Sequence, residues 1–123
     1  MPSLQANEIM AFVPSGKDYP LAIEFYTDLG FSIDYRSDEL TVMRKDKCRF
    51  YHQNFALEQM QKNFMMNLDV EDLDAWWAQI QSAGLGEKYP GTRFVAPKDY
   101  PWGKREIHMI DPAGVLWHIA VRV

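Results

Sequence analysis

The sequence predicts an α+β protein built from two βαβββ modules. Each half of the chain shows a short apolar strand, a helix with one apolar stripe, and three further short strands. Both helices end near a glycine, Gly30 in the first half and Gly84 in the second. We therefore expect a single domain covering residues 1–123, with modules at about 1–58 and 59–123.

The first strand and helix are marked by an apolar run and by helix-start signals. Glu8–Val13 is the expected strand, because its apolar residues run up to a proline. The helix is expected to begin near Asp18 or Tyr19, since Pro20 suits a first helical turn. Its apolar stripe consists of Ala22, Phe25, Tyr26 and Leu29.

The rest of the first module reads as short strands separated by polar turns. The expected strands are Phe31–Arg36, Glu39–Lys45 and Lys47–Gln53. The next stretch, Asn54–Gln61, is polar and without periodicity, which predicts a linker or a single helical turn.

The second module begins with an expected strand at Asn63–Leu68. Acidic residues up to Asp72 then favour a helix N-terminus, because carboxylates interact well with the positive end of the helix dipole. The apolar stripe of this helix consists of Leu73, Trp76, Trp77 and Ile80.

The last part of the chain is expected to form a strand and a hairpin. Gly86–Gly91 is predicted as a loop, Thr92–Ala96 as a strand, and Pro97–Gly103 as a second loop. Asp111–Gly114 fits a type I turn, with Asp first, Pro second and Gly fourth. The hairpin around this turn, with Trp102 at its mouth, is expected to form a wall of a binding pocket.

Composition narrows the classes of partner. A net charge of −4 argues against nucleic acid and is compatible with a cationic ligand. The sequence has no apolar run of about 20 residues, so no membrane span is expected. Because Met1–Gln5 lacks the pattern of a signal peptide, a cytoplasmic location is expected. Cys48 is the single cysteine, which excludes an internal disulfide.

Four segments together resemble one superfamily. They are Ala22–Phe31, Val70–Trp77, Pro101–Glu106 and Asp111–Gly114. In this order they resemble the vicinal oxygen chelate superfamily, also called glyoxalase/bleomycin resistance/dioxygenase, and most of all its bleomycin resistance proteins. The resemblance implies curled mixed sheets and a homodimer, often with an exchanged N-terminal strand. It also implies pockets near the subunit interface that bind the drug stoichiometrically and without a metal.

Enzymes of this superfamily hold a divalent metal with residues from the first and fourth strands of each module. The matching positions here are Met10 or Ala11, Tyr51, Phe64 or Met65, and His118. Only His118 is a useful ligand, and a one-residue slip would add only His52. Since catalytic zinc sites keep three protein ligands, we expect no metal and no cofactor.

The resemblance also implies a set of ligand-binding residues. Trp102 matches the tryptophan that stacks on the bithiazole of the drug. Asp34 and Tyr35 match an Asp-Phe pair that offers a carboxylate for a cation and a ring for stacking. Leu40 stands where the family has a second stacking aromatic ring. The other residues expected to line the pocket are Tyr51, Phe64, Glu106, His108 and His118.

The leading hypothesis is thus a metal-free, cytoplasmic homodimer that sequesters a bleomycin-type or other planar cationic ligand. The first alternative is a metal-dependent enzyme of the glyoxalase or dioxygenase type. The second is a metabolite-binding protein on the same scaffold, because a fold does not fix a function.

Overall fold

A computed structural model describes residues 3–123 of the chain. Met1 and Pro2, which belong to the segment Met1–Gln5 used to predict the cytoplasmic location, lie outside the described residues. The first sheet has strands β1 Phe12–Pro14, β2 Ser32–Arg36, β3 Leu40–Lys45 and β4 Cys48–Gln53. Their order is β1-β4-β3-β2, with β1 and β4 parallel and the other pairs antiparallel. Helix α1, Tyr19–Leu29, follows β1.

The second sheet repeats this arrangement. Its strands are β5 Met65–Asp69, β6 Arg93–Tyr100, β7 Lys104–Ile110 and β8 Leu116–Arg122. The order is β5-β8-β7-β6, and again only the pair formed by the first and fourth strands is parallel. The helices are α2 Glu58–Asn63, α3 Leu73–Ser82 and α4 Leu85–Lys88. The prediction of an α+β fold with two βαβββ modules and open mixed sheets is confirmed. In the described residues, no helix is both long and apolar enough to cross a membrane.

Local signals at the helix ends are present as the sequence predicted. The Asp18 carboxylate accepts from the Leu21 N–H at 3.2 Å, which caps α1. Gly30 ends the same helix with a φ of 124°, a conformation that a side chain would strain. In the last hairpin the Gly114 N–H donates to the Asp111 carbonyl at 3.0 Å, which closes the predicted turn.

The first strand is shorter than predicted, and of the two alternatives for Asn54–Gln61, a linker or a single helical turn, the structure has a short helix, α2, which extends to Asn63. Residues 3–11 have mostly exposed side chains and lie in no strand, although Glu8 pairs with Arg49 at 2.7 Å and the Ala11 carbonyl accepts from the Tyr51 N–H at 2.9 Å. Helix α2 is held by the nearly buried side chain of Gln61, which accepts from the Leu57 N–H at 2.8 Å. The Gln61 amide also donates to the Ala113 carbonyl at 2.8 Å, which ties α2 to the last turn.

Two predicted loops are wrong in the second module. Helix α4 occupies part of the expected loop 86–91, because Leu85 and Tyr89 are buried and draw the chain onto the core. Strand β6 continues to Tyr100, into the first part of the expected loop 97–103, while residues 101–103 form a turn. Its pairing with β7 is irregular between Val95 and Lys98, so Pro97 stands outside the ladder it cannot join.

The two modules share one hydrophobic core that contains a buried chain of hydrogen bonds. The Trp117 indole N–H donates to the Tyr26 hydroxyl at 2.8 Å, which donates in turn to the Asp111 carboxylate at 2.6 Å. That carboxylate also accepts from the backbone N–H groups of Ala113 and Val115. Burial raises the pKa of Asp111 to about 6, although these hydrogen bonds favour its ionised form.

Candidate functional site

The two sheets present rows of side chains on the faces opposite the core. Because side chains alternate along a strand, residues in register across a sheet lie side by side on one face. In the first sheet the row is Phe12, Tyr51, Val42 and Tyr35. It is apolar and aromatic, and Phe12 stacks on Tyr51 at 4.5 Å between ring centroids.

The corresponding row of the second sheet is polar. It consists of Asn67, His118, His108 and Val95. The repeat therefore places His118 where the first module has Tyr51, and His108 where it has Val42. Two residues earlier along β7, Glu106 takes the place of Leu40 on β3 by the same register.

Glu106 and the two histidines form a compact cluster. One carboxylate oxygen, Oε1, lies 2.8 Å from His108 Nε2 and 2.9 Å from His118 Nδ1. The other oxygen, Oε2, accepts from the Trp102 indole N–H at 3.0 Å. The Glu106 side chain is buried, while both histidines are partly open to solvent. We call Glu106, His108 and His118 the EHH cluster.

The hydrogen bonds of the EHH cluster favour the ionised form of Glu106 and direct one ring N–H of each histidine toward it. Burial alone would raise the pKa of Glu106, but the bonds from Trp102, His108 and His118 hold it below its usual value. A carboxylate only accepts, so each histidine directs a ring N–H at Glu106. The remaining ring nitrogen of His108, Nδ1, lies 3.3 Å from the Tyr100 hydroxyl, within hydrogen-bond distance.

A ladder of three rings positions the exposed tryptophan beside the EHH cluster. Tyr100 stacks on Trp102 at 4.8 Å and on His108 at 4.6 Å between ring centroids. Trp102 nevertheless keeps 57% of its surface exposed. The sequence did not indicate Tyr100 as a site residue, because residues 97–103 were predicted to be a loop. Its spacing of two residues from Trp102, which in an extended chain places both rings on one side, was the available signal.

A shallow cavity of about 320 Å³ opens beside these residues. Its lining includes Met65, Asn67, Trp102, Lys104, Glu106 and His118. Lys104 is paired with Asp69 at 3.1 Å, so its charge is partly compensated. The cavity combines an exposed aromatic ring, thioether surface and one buried carboxylate, which suits a ligand with a flat part and a cationic part.

The other predicted residues lie apart from this cavity. Asp34 is paired with Arg44 at 2.7 Å and Arg49 at 3.4 Å, so its charge is already neutralised within the chain. Tyr35 is 56% exposed on the row of the first sheet, where Leu40 lies on the same face. Phe64 packs against the hydrophobic core and is absent from the cavity lining.

The strand positions that hold the metal in the superfamily's enzymes do not fit a metal here. The register places Phe12 beside Tyr51 and Asn67 beside His118, not the first-strand residues expected from the sequence. Phe12 and Tyr51 make an aromatic stack, which leaves His118 as the only strong ligand of the four. His52 offers no substitute, because its side chain is completely buried in the core.

Comparisons with known proteins agree with this architecture. The glyoxalase/bleomycin resistance protein/dioxygenase superfamily matches residues 9–119. A bleomycin-binding protein in complex with bleomycin superposes with a TM-score of 0.82 at 22% identity, covering 96% of this chain and 100% of the other. A bleomycin resistance determinant encoded on the transposon Tn5 gives 0.80 at 24% identity, with 95% and 98% covered.

A third similar structure is a bleomycin-binding protein from bleomycin-producing Streptomyces verticillus, in complex with copper(II)-bleomycin. Its TM-score is 0.75 at 22% identity, covering 94% of this chain and 97% of the other. No curated protein matches the chain in sequence. At these identities the structural matches establish the shared fold.

Proposed function

Because the chain belongs to the glyoxalase/bleomycin resistance protein/dioxygenase superfamily, we propose that it binds a bleomycin-type or other planar cationic small molecule. It acts by stoichiometric binding, with no bond made or broken and no metal at the strand positions used by the superfamily's enzymes. The observation that carries the proposal is the exposed indole of Trp102, held beside a buried carboxylate at the mouth of the cavity.

The setting of Trp102 favours a role in stacking. A large exposed ring normally gains stability by packing inward, yet this indole is 57% exposed. It is fixed from below by Tyr100 and at its N–H by Glu106, so little side-chain entropy is lost when a flat ligand stacks on it.

The charge that would attract a cation is assigned to Glu106 and not to Asp34. Asp34 is shared by Arg44 and Arg49, which leaves no net negative charge to offer. Glu106 accepts hydrogen bonds from Trp102 and the two histidines, and these bonds favour its ionised form in a poorly solvated position. An ion there interacts more strongly with a ligand cation than it would in bulk water.

A titration with bleomycin tests the proposal. We expect a saturable heat change at about micromolar drug, with one site per chain. Trp102→Ala removes the stacking ring and is expected to weaken binding by about 10-fold, or roughly 1.4 kcal/mol. Trp102→Phe keeps a ring and should retain most of the affinity. Absence of saturable binding to the unmodified protein would exclude bleomycin as the ligand.

A matched control comes from the helix α3 tryptophans. Trp77 is partly buried and packs against the core, away from the cavity lining. Trp77→Phe should therefore leave the affinity for bleomycin unchanged. An equal loss in Trp77→Phe and Trp102→Ala would mean that a general loss of structure, not stacking at the cavity, causes the weakening.

We also propose that the protein is a homodimer. The row of the first sheet, with Phe12, Val42, Tyr51 and Tyr35, is an aromatic face on which Phe12 remains 50% and Tyr35 56% exposed. A second copy is a suitable cover for such a face. Sedimentation or light scattering should give twice the 14.4 kDa mass of one chain, and Tyr35→Glu should shift the protein toward monomer. A monomer at all accessible concentrations would refute the dimer.

A further inference from the structure

We propose that the EHH cluster of Glu106, His108 and His118 binds one zinc-class divalent metal ion. This site shares His118 with the strand positions of the superfamily's enzymes, but its other two ligands, Glu106 and His108, lie on β7. The expectation of a metal-free pocket rested on His118 standing alone. The fold supplies the two missing ligands from the neighbouring strand.

The distances within the cluster suit a metal ion. The ligand atoms of Glu106, His108 and His118 all lie within 4.8 Å of one another. Ligand atoms that each lie about 2.0–2.2 Å from a tetrahedral zinc are about 3.3–3.6 Å apart, so the cluster would have to widen by only a few tenths of an ångström to admit the ion. The two histidine nitrogens already stand 2.8 and 2.9 Å from the Glu106 oxygen. An ion would take the place of the two ring protons that now point at this oxygen, and each neutral ring would then carry its single proton on its other nitrogen, which for His108 is the Nδ1 that faces the Tyr100 hydroxyl.

The chemistry of the donor set points to a transition metal. Two imidazoles and one carboxylate suit zinc, nickel, cobalt or ferrous iron, and are poor ligands for magnesium or calcium. Three protein ligands leave open coordination positions. These positions would be reachable from solvent, because His108 and His118 are partly exposed and His118 lines the cavity.

Residues outside the cluster already orient the ligands. The Trp102 indole N–H fixes the second oxygen of Glu106, which leaves Oε1 for the ion. Tyr100 stacks on the His108 ring and its hydroxyl reaches the far nitrogen of that ring. Metal-binding histidines and carboxylates commonly have such hydrogen-bonded partners, which set the tautomer and the direction of the ligand.

The first module shows what the same scaffold looks like without these ligands. By register, Leu40, Val42 and Tyr51 stand where the second module has Glu106, His108 and His118. Neither strand pairing nor packing thus requires a charged residue and two imidazoles at these positions. Burying the Glu106 carboxylate is costly, so a folding role alone does not account for the cluster.

Calorimetric titration of the full chain with Zn²⁺, in the absence of any drug, tests the site. The exposed thiol of Cys48 is first removed by Cys48→Ser, so that it cannot bind zinc. We expect one ion per chain in this background. Co²⁺ should give visible absorption bands typical of nitrogen and oxygen ligation at the same stoichiometry.

The variants that test the ligands replace residues of the EHH cluster by those at the equivalent positions of the first module. His108→Val and Glu106→Leu introduce the residues found at the equivalent positions there. Each is expected to weaken Zn²⁺ binding by more than the roughly 10–100-fold that loss of an outer-shell partner causes. Trp102→Phe removes only the hydrogen bond to Glu106 and should fall within that smaller range. His52→Leu removes the one remaining histidine and should leave the affinity unchanged.

The outcomes separate clearly. The site is refuted if Zn²⁺ shows no saturable uptake of one ion per chain, or if His108→Val binds zinc as tightly as the parent. Circular dichroism must show that the variant remains folded; if Glu106→Leu unfolds, Glu106→Gln replaces it and should still weaken binding. Because no drug is present, failure of zinc binding leaves the proposed binding of bleomycin standing, and the reverse also holds.

Discussion

His52 provides a sharp test of the core, because a polar ring is buried there without a partner. Its side chain is 0% exposed, and neither ring nitrogen has a hydrogen-bond partner in the described structure. Around it lie the rings of Tyr26 at 5.0 Å, Phe50 at 5.9 Å and Tyr19 at 6.3 Å between centroids. We expect His52→Leu to increase the free energy of unfolding by about 1 kcal/mol at neutral pH, since it removes unpaired polar atoms.

The effect should grow as the pH falls. Burial lowers the pKa of His52 from 6.5 to about 4 in the folded protein. The unfolded chain therefore binds a proton in this window that the folded protein does not, so stability is lost as the pH falls from 6.5 toward 4. At about 1.36 kcal/mol per pKa unit, the loss amounts to about 3 kcal/mol. His52→Leu removes this loss, so its advantage should reach about 4 kcal/mol near pH 4.

The pH dependence of stability has to be measured as a difference between the natural protein and His52→Leu, because Asp111 also titrates in this pH range. Burial raises its pKa from 3.8 to about 6, so here the folded protein binds the extra proton. Its contribution to stability increases as the pH falls from 6 toward 3.8, opposite in sign to that of His52 and also about 3 kcal/mol. The two effects largely cancel in the natural protein, but Asp111 is present in both proteins, so the part of its effect that does not depend on His52 drops out of their difference.

Urea unfolding of both proteins at a series of pH values measures this difference directly. A difference that stays constant between about pH 7 and 4 would show that His52 is not held neutral in the folded state. If His52→Leu were instead destabilising by more than about 1 kcal/mol at neutral pH, the ring nitrogens would have partners, such as a buried water.

Three further substitutions test other parts of the structure in the same urea assay. Tyr26→Phe leaves the Asp111 carboxylate and the Trp117 N–H without their shared partner, and should cost about 2–3 kcal/mol; no change would mean that water replaces the hydroxyl. Asp18→Ala removes the cap of α1 and should cost about 1 kcal/mol, whereas Asp18→Asn should cost little. Gly114→Ala should cost about 1–2 kcal/mol. The cost is assigned to backbone strain at a φ of 99° and not to a steric clash, because an added Cβ would meet no atom closer than 3.8 Å.

Much of the fold could be predicted because its signals are local. The stripes of α1 and α3, the cap at Asp18 and the turn at Asp111 each depend on residues close together in sequence. The elements that the sequence left open or misplaced depend on distant partners. Helix α2 needs the contact of Gln61 with Ala113, and the end of β6 is fixed by its pairing with β7 beyond a bulge. No periodicity within either segment carries that information.

The site was predicted only in part for the same reason. Alternation along β7 was enough to place Glu106 and His108 on one face. It could not show that His118 lies directly opposite His108, because register between strands depends on the turn and on packing. The pairing of Asp34 with Arg44 and Arg49 likewise joins separate strands, and it changes the role that the sequence assigned to this carboxylate.

The hydrogen-bond chain from Trp117 through Tyr26 to Asp111 has a consequence for folding kinetics. The Tyr26–Asp111 bond spans 85 residues and the Trp117–Tyr26 bond spans 91. Loops of this length close late, after each module has formed its local strand and helix contacts. We expect these two hydrogen bonds to be absent from the folding transition state, so that Tyr26→Phe accelerates unfolding and hardly slows folding. The hydrogen bonds from Asp111 and Trp117 of the last hairpin to Tyr26 of α1 would then form after the transition state, and the rate of breaking them would set the lifetime of the folded protein.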